Sequence, residues 1–252
     1  MSMNDQVQPK DIQNLDIHVK SKKADAKKEA LSSGNMEIAA IVPLRGHIKE
    51  SIDYNETLIR KCFDSLNESR YINHIIVSAD DEALLRKAER YSDVIPVMRP
   101  EKLSEEGVRV HDVLKFTMDE LEKREFRPDI IVPVEITYPF RPPALFDQLI
   151  EMMLDGGYDT VIAGVPEYRV CWRETEKGYE SITDMSVSRA DRSPLYIGLP
   201  SLGCVVEPEV IKSGKRYGEK LGIFQVDEPF ATVEIRNPNQ LYHIARQLYW
   251  PV

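Results

Sequence analysis

The sequence predicts one α/β domain, Rossmann-like in its layering, on a mostly parallel sheet. Short continuous apolar runs recur from Ile38 to Val165, and such runs fit strands covered on both faces. Between them lie stretches whose apolar residues recur at helical spacing. Strands and helices alternating at this length argue for βαβ units joined by right-handed crossovers.

The elements follow in order. Residues 1–35 contain no aromatic residue and interleave Lys20, Lys22, Lys23, Lys27 and Lys28 with Asp25 and Glu29. They read as a disordered tail, with a docking arm for an anionic surface as the functional alternative. Residues 36–252 form the domain. Ile38-Ala39-Ala40-Ile41-Val42, closed by Pro43, is the first strand. After a polar loop through Asn55, Leu58, Ile59, Cys62, Phe63 and Leu66 mark a helix face. Ile72 to Val77 is the next strand, and Ser78 or Asp80 caps a helix carrying Ala83, Leu84 and Ala88. Val94 to Met98, Ile130 to Val134 and Thr160 to Val165 are strand-like. Between them Val110, Val113, Leu114, Met118 and Leu121 mark one helix, and Leu145, Phe146, Leu149, Ile150 and Met153 another. Pro142 and Pro143 stand near the start of the second, where proline is tolerated. The alternation breaks over residues 166–200, which read as a hairpin-like insertion whose Trp172, Tyr179 and Tyr196 form a partner interface or cover a local core. Leu202 to Val206, Ile223 to Val226 and Ala231 to Ile235 look like strands, and Leu241, Ile244, Ala245 and Leu248 make a last helix.

Composition narrows the function. The chain has 252 residues, 42% of them apolar, enough for a proper core. Its formal net charge of −9 argues against a nucleic-acid binder, because phosphate backbones call for a basic face. A single nucleotide is not excluded, since a triphosphate needs only a few local cations, a metal ion and some backbone N–H groups. No apolar stretch approaches the ~18 residues of a membrane span, and no apolar signal region follows the first basic residues. The cytoplasm is the expected location. Cys62, Cys171 and Cys204 are far apart and odd in number, so reduced thiols are expected in place of disulfides or zinc ligands.

In open α/β sheets ligands bind outside the carboxyl ends of the strands, so the residues after each apolar run are the functional candidates. Pro43-Leu44-Arg45-Gly46-His47-Ile48-Lys49 follows the first strand. Arg45 and Lys49 suit a polyphosphate, and Gly46 lets backbone approach it, although the spaced glycines of a P-loop are absent. Ser78-Ala79-Asp80-Asp81-Glu82 follows the second strand, where acids also complement a helix dipole. Arg99 follows the third. Val134-Glu135-Ile136-Thr137-Tyr138-Pro139-Phe140-Arg141 closes the fourth, and Glu135 and Glu234 sit in apolar surroundings where a carboxylate is functional or paired.

Taken in this order, the segments resemble the cytidylyltransferases that make CMP-activated sugar acids, CMP-N-acylneuraminate synthetases among them. The resemblance spans residues 37–249. Pro43, Arg45, Gly46 and Lys49 fall in register with that family's PARxGSKG-type loop. Val77 to Glu82 matches its VSTDDE-like turn, Arg99 to Leu103 its RPxxL, and Val134 to Arg141 echoes LQPTSPLR. Gly214 to Gly218 and Asn237 to Leu241 echo its closing motifs. The resemblance implies a three-layer nucleotidyltransferase fold of the nucleotide-diphospho-sugar transferase type. It also implies a magnesium-dependent reaction of CTP with a sialic-acid-like 2-keto-3-deoxy sugar acid, and a homodimer formed through residues 166–200. By residue, it implies Arg45 and Lys49 as catalytic cations and Gly46, Asp80 and Arg99 as further nucleotide contacts. Glu135, Thr137 and Arg141 fall on the sugar-acid side, and Glu234 with Glu135 on a metal.

The departures are specific. The glycine-rich loop reads His47-Ile48-Lys49-Glu50, and the threonine-serine helix start reads Gly107-Val108-Arg109-Val110. Ser201-Leu202-Gly203-Cys204 stands where the family has an asparagine. The metal-binding DID reads Glu234-Ile235-Arg236, and a guanidinium cannot ligate magnesium. These leave three readings: an active cytidylyltransferase with a shifted acceptor, a nucleotidyltransferase for another base, or a relative that binds a nucleotide, sugar or protein without turnover. His111 reads as a packed, hydrogen-bonded helix residue, and His47 as a possible nucleotide contact. Tyr242, Tyr249 and Trp250 seal the last helix or join a subunit contact.

Overall fold

The structure is a computed structural model that describes residues 27, 29–31, 33–46, 55–237, 239–240, 243–244 and 247. Its centre is a sheet in which β3 (Val94–Met98), β2 (His74–Ala79), β1 (Ile38–Leu44) and β4 (Ile130–Pro133) lie side by side, all parallel. Beyond β4 come β9 (Cys204–Val206), β5 (Thr160–Glu167) and β10 (Leu221–Gln225). Strand β9 runs antiparallel to both neighbours and splits the parallel sheet into two blocks. β10 pairs with β5 in parallel.

Position in this sheet explains the apolar runs. β1 is central, and Ile38, Ala40, Val42 and Leu44 pack into one core layer while Ala39 and Ile41 pack into the other. A strand buried on both faces has no polar alternation to show. β3 lies at the edge, where Pro96 removes no ladder hydrogen bond from a second neighbour. One core layer is closed by α1 (Glu56–Asn67), α2 (Glu82–Ala88) and α4 (Leu145–Gly156), the other by α3 (Val110–Lys123) and α5 (Pro208–Lys212). α1 is capped by Asn55, whose side chain accepts from Leu58 N at 3.0 Å, and it buries Leu58, Ile59, Phe63 and Leu66. Each such side chain contributes about 1.5–3 kcal/mol of burial free energy. α4 ends at Gly157, whose left-handed φ of 57° lets its N–H turn back to the Met153 carbonyl.

Several expectations shift. The second strand lies two residues later than expected, and the cap of α2 is Asp81, which accepts from Ala83 N at 2.6 Å. Ala231 to Ile235 is not a strand: residues 229–232 form a 3-10 turn and residues 233–236 take no regular structure. Its one ladder-like bond, Ile235 N to Thr137 O at 2.8 Å, ties it to the loop after β4, so the apolar residues there plug the core without joining the sheet. The short helix α5 had no visible period in five residues. Within the stretch read as a tail, residues 27 and 29–31 are helical, Lys27 pairs with Glu207 at 2.5 Å, and Ala30 and Leu31 pack on the core. Packed structure therefore reaches further back than Ile38. Of the last helix, residues 239–240, 243–244 and 247 are helical. Tyr242, Tyr249 and Trp250 lie outside the described residues.

The insertion is as hairpin-like as its pattern suggests. β6 (Trp172–Thr175) and β7 (Gly178–Ser181) form a separate two-stranded ribbon, and β8 (Leu195–Gly198) returns antiparallel on the end of β5.

Candidate functional site

The chain leaves β1 toward β2 on one side, while β4 lies on the other, so the order reverses between β1 and β4. Such a switch point opens a crevice beyond the carboxyl ends of the strands. A cavity of about 230 Å³ occupies it. Its wall is Pro43 at the end of β1 and Arg45 just after it, Arg99 from beyond β3, Val108 before α3 and Val110 and Val113 in its first turn, Glu135, Ile136 and Thr137 after β4, and Arg236. A smaller hollow of about 60 Å³ adjoins it, sharing Pro43, Val110 and Glu135 and extending to His111, Ser201, Cys204, Arg216 and Tyr217. Four expected residues, Arg45, Arg99, Glu135 and Thr137, meet in the larger cavity. Lys49 lies outside the described residues, as do His47 and Glu50.

Each of these side chains is held by local chemistry. Arg99 is buried: its Nε donates to Ser104 Oγ at 2.9 Å and its Nη1 to the Ser78 carbonyl. Its own N–H bonds the Ala79 carbonyl at 2.8 Å, locking the turn after β3 to the end of β2. Beneath it, the Thr117 hydroxyl bonds the Val113 carbonyl and meets the Ser78 hydroxyl at 2.9 Å. Buried polar groups are stable when they are paired in this way.

Asp80 stands beside this network. It accepts from Gly46 N at 2.5 Å. Burial pushes its pKa up, but the Gly46 N–H, its own N–H, the Ser104 hydroxyl and the Arg99 charge outweigh burial and hold the carboxyl below the usual range. Asp80 and Gly46 do not line the cavity; they fasten the loop that presents Arg45. Glycine is required at 46 because a Cβ there would stand 2.1 Å from Asp81 Cβ. Its role in this structure is thus close packing of two loops.

After β4, Glu135 faces both hollows and accepts from Ser201 Oγ at 2.5 Å. The Thr137 hydroxyl is buried and has no hydrogen-bond partner among the described residues. Arg141 departs from expectation. Its Nε donates to Leu202 O (2.9 Å), Nη1 to Tyr138 O (2.8 Å) and Nη2 to the carbonyls of Glu135 and Ser201. It knits the loop after β4 to the loop before β9 and lines neither hollow, so it stands behind the site and holds its loops together.

Arg236 is the residue the sequence undervalued. It looks like a loss when set against a metal motif, and the structure makes it a third cation on the cavity wall. Its Nη2 approaches Glu234 Oε1 at 2.6 Å, an ion pair out of hydrogen-bond alignment, since that buried oxygen has no hydrogen-bond partner among the described residues. Glu234, and then Glu135 and Tyr138, raise the Arg236 pKa. Burial first, and the Glu234 charge next, push the Tyr138 phenol up to about 12. Ser104 carried no sequence signal, and Ser201 was visible only as a departure from the family's asparagine; each acts by holding a site residue, Arg99 and Glu135 respectively.

His111 is not fully hydrogen-bonded as expected. Its Nε2 is buried without a partner among the described residues, and burial lowers its pKa, so the ring is neutral near pH 7. The start of α3 has no side-chain cap, because the residue there is Arg109, whose guanidinium has no acceptor for the helix N–H groups and pairs with Asp112. Uncapped helix starts favour anions.

The carboxylates fit a protein-held magnesium ion poorly. Glu135 is engaged by Ser201, Glu234 by Arg236, and a guanidinium charge acts on both. Among the described residues no group of three possible ligands gathers. No helix there is long and apolar enough to cross a membrane.

Comparison with known proteins bears on this geometry. The family model for Cytidylyltransferase matches residues 54–197. N-acylneuraminate cytidylyltransferase A of Danio rerio is 25% identical over 150 residues, 60% of this chain but only 30% of that protein. Among solved structures, CMP:2-keto-3-deoxy-manno-octonic acid synthetase complexed with CTP superposes with a TM-score of 0.60 at 12% identity, covering 84% of this chain and 98% of that one. 4-Diphosphocytidyl-2C-methyl-D-erythritol synthase from Anaerococcus prevotii gives 0.58 at 14%, covering 87% and 99%. These structures share the three-layer fold with its mostly parallel sheet.

Proposed function

The chain belongs to the cytidylyltransferase family, and from that premise we propose that it transfers a cytidylyl group from CTP to the hydroxyl of a sialic-acid-like 2-keto-3-deoxy sugar acid. The observation that carries the reading is the switch-point cavity, whose wall holds Arg45, Arg99 and Arg236 against the single carboxylate of Glu135. In a chain of net charge −9, three guanidiniums gathered at one crevice suit a polyphosphate.

In the proposed reaction the acceptor oxygen attacks the α-phosphorus, the bond from that phosphorus to the bridging oxygen breaks, and pyrophosphate leaves. The arginines neutralise charge on the departing phosphates. Glu135, at the boundary of the two hollows, is the group we assign to receive the acceptor's proton. The adjoining hollow takes part of the acceptor. Arg45 and Lys49 keep the catalytic roles that the resemblance implies. Magnesium enters with CTP as the counter-ion of its phosphates, and no step here depends on a protein-held ion. The exposed side chains of residues 166–200 form a homodimer contact, and three free cysteines suit the cytoplasm.

Binding without turnover is a second reading, favoured by the Glu234–Arg236 ion pair where a metal-ligating pair is expected. Pyrophosphate release from each of the four nucleoside triphosphates, with magnesium and a panel of sugar acids, separates the two. Release with CTP and one acid, and with no other pairing, is expected. Nucleotide binding without release across the panel would favour the binder.

A further inference from the structure

We infer that Arg236 fills the place of a divalent cation in this site, so that the chain binds a nucleoside triphosphate through a guanidinium that it carries itself. The inference rests on the nucleotide-binding reading of the cavity, but not on turnover.

Two carboxylates near the cavity, Glu135 and Glu234, are the groups that could draw a divalent ion to it. Arg236 already answers both. Its Nη2 lies 2.6 Å from Glu234 Oε1, and the charges of Glu234 and Glu135 both stabilise its protonated form. A second cation there would meet a fixed positive charge and two carboxylates already compensated.

The position of Arg236 is set by its neighbours. Ile235 N bonds the Thr137 carbonyl at 2.8 Å, and Arg236 N bonds Gln240 Oε1 at 2.8 Å, so the backbone on both sides of the side chain is tied down. Glu234 engages one nitrogen of a group with five N–H donors. The side chain is 67% exposed, so it reaches a ligand without being dug out of a core. It shares the cavity wall with Arg45, Arg99 and the apolar Val108, Val110 and Val113. Three guanidiniums and one carboxylate give that wall a formal charge of +2. A guanidinium fork matches phosphate oxygens in a bidentate way.

The test is equilibrium binding of CTP and of CMP to the full chain by calorimetry, in magnesium and in EDTA, for the native protein, Arg236→Ala and Arg236→Lys. A native protein that binds CTP in EDTA within about threefold of its affinity in magnesium is expected. Arg236→Ala should lose about tenfold or more for CTP in EDTA, as one charge-assisted contact is removed, and magnesium should restore part of the loss. CMP, with one phosphate, should be affected far less, and lysine should recover part of the CTP affinity. A merely structural role would weaken CTP and CMP alike. Native binding that requires magnesium, or Arg236→Ala binding unchanged in EDTA, would overturn the inference and leave the cytidylyltransferase reading standing. Failure of folded protein to bind any nucleotide in either condition would overturn both.

Discussion

Arginines of one residue type do opposite jobs around this site. Arg141 is tied to four protein carbonyls and lines no cavity, whereas Arg99, held by Ser104 and the Ser78 carbonyl, and Arg236, held by one carboxylate, both stand on the cavity wall. Replacing Arg141 by alanine strands the carbonyls of Glu135, Tyr138, Ser201 and Leu202 together. A loss of about 3 kcal/mol in urea unfolding is expected, and lysine, with one point charge, should not recover it. A change under about 0.5 kcal/mol would show that these bonds are dispensable. Asp80 gives a pH test. Its carboxyl is depressed in the folded chain, so its contribution to stability is full above the ordinary carboxylate range and disappears as pH falls through the depressed value. Asp80→Asn should lower stability at neutral pH and flatten the acid limb of the stability profile; an unchanged acid limb would contradict the account. That Arg45, Glu135 and Thr137 come to one cavity was legible because each follows an apolar strand. The roles of Arg141 and Arg236 were not, because they depend on which loops meet in space.

Among elements, the parallel strands were the readable ones. β1, β2 and β4 are buried on both faces, and a continuous apolar run is their direct imprint. β9, three residues long, shows as the apolar run Leu202 to Val206, but its antiparallel direction leaves no mark in the sequence, and the run from Ala231 to Ile235 has a strand's composition without a strand's neighbours. The ribbon of β6 and β7 was visible as a break in the alternation. Trp172 pairs across it with Ser181 and Glu174 with Tyr179, which sets Trp172 and Tyr179 on one face, 57% and 70% exposed. If the proposed dimer forms through this face, the native chain is expected to sediment as a dimer and a Trp172→Glu, Tyr179→Glu double variant as a monomer, with the thermal midpoint of the isolated chain unchanged. Identical sedimentation of the two would remove this face from the proposed contact.

At the scale of the whole molecule, the topology and the charge point the same way. A sheet whose order reverses between β1 and β4 leaves a crevice there, and a chain of net charge −9 gathers three arginines on that crevice's wall. The fold was legible because alternation of apolar runs and helical periods is a local property repeated along the chain. The cavity's charge was not, because its arginines come from positions 45, 99 and 236 and no window of sequence holds them together. A crystal structure of the full chain grown with CTP is the most direct measurement of this claim. A triphosphate is expected to lie between Arg45, Arg99 and Arg236 at the carboxyl ends of β1 and β4. A nucleotide bound elsewhere on the chain, with that cavity holding only water, would contradict it.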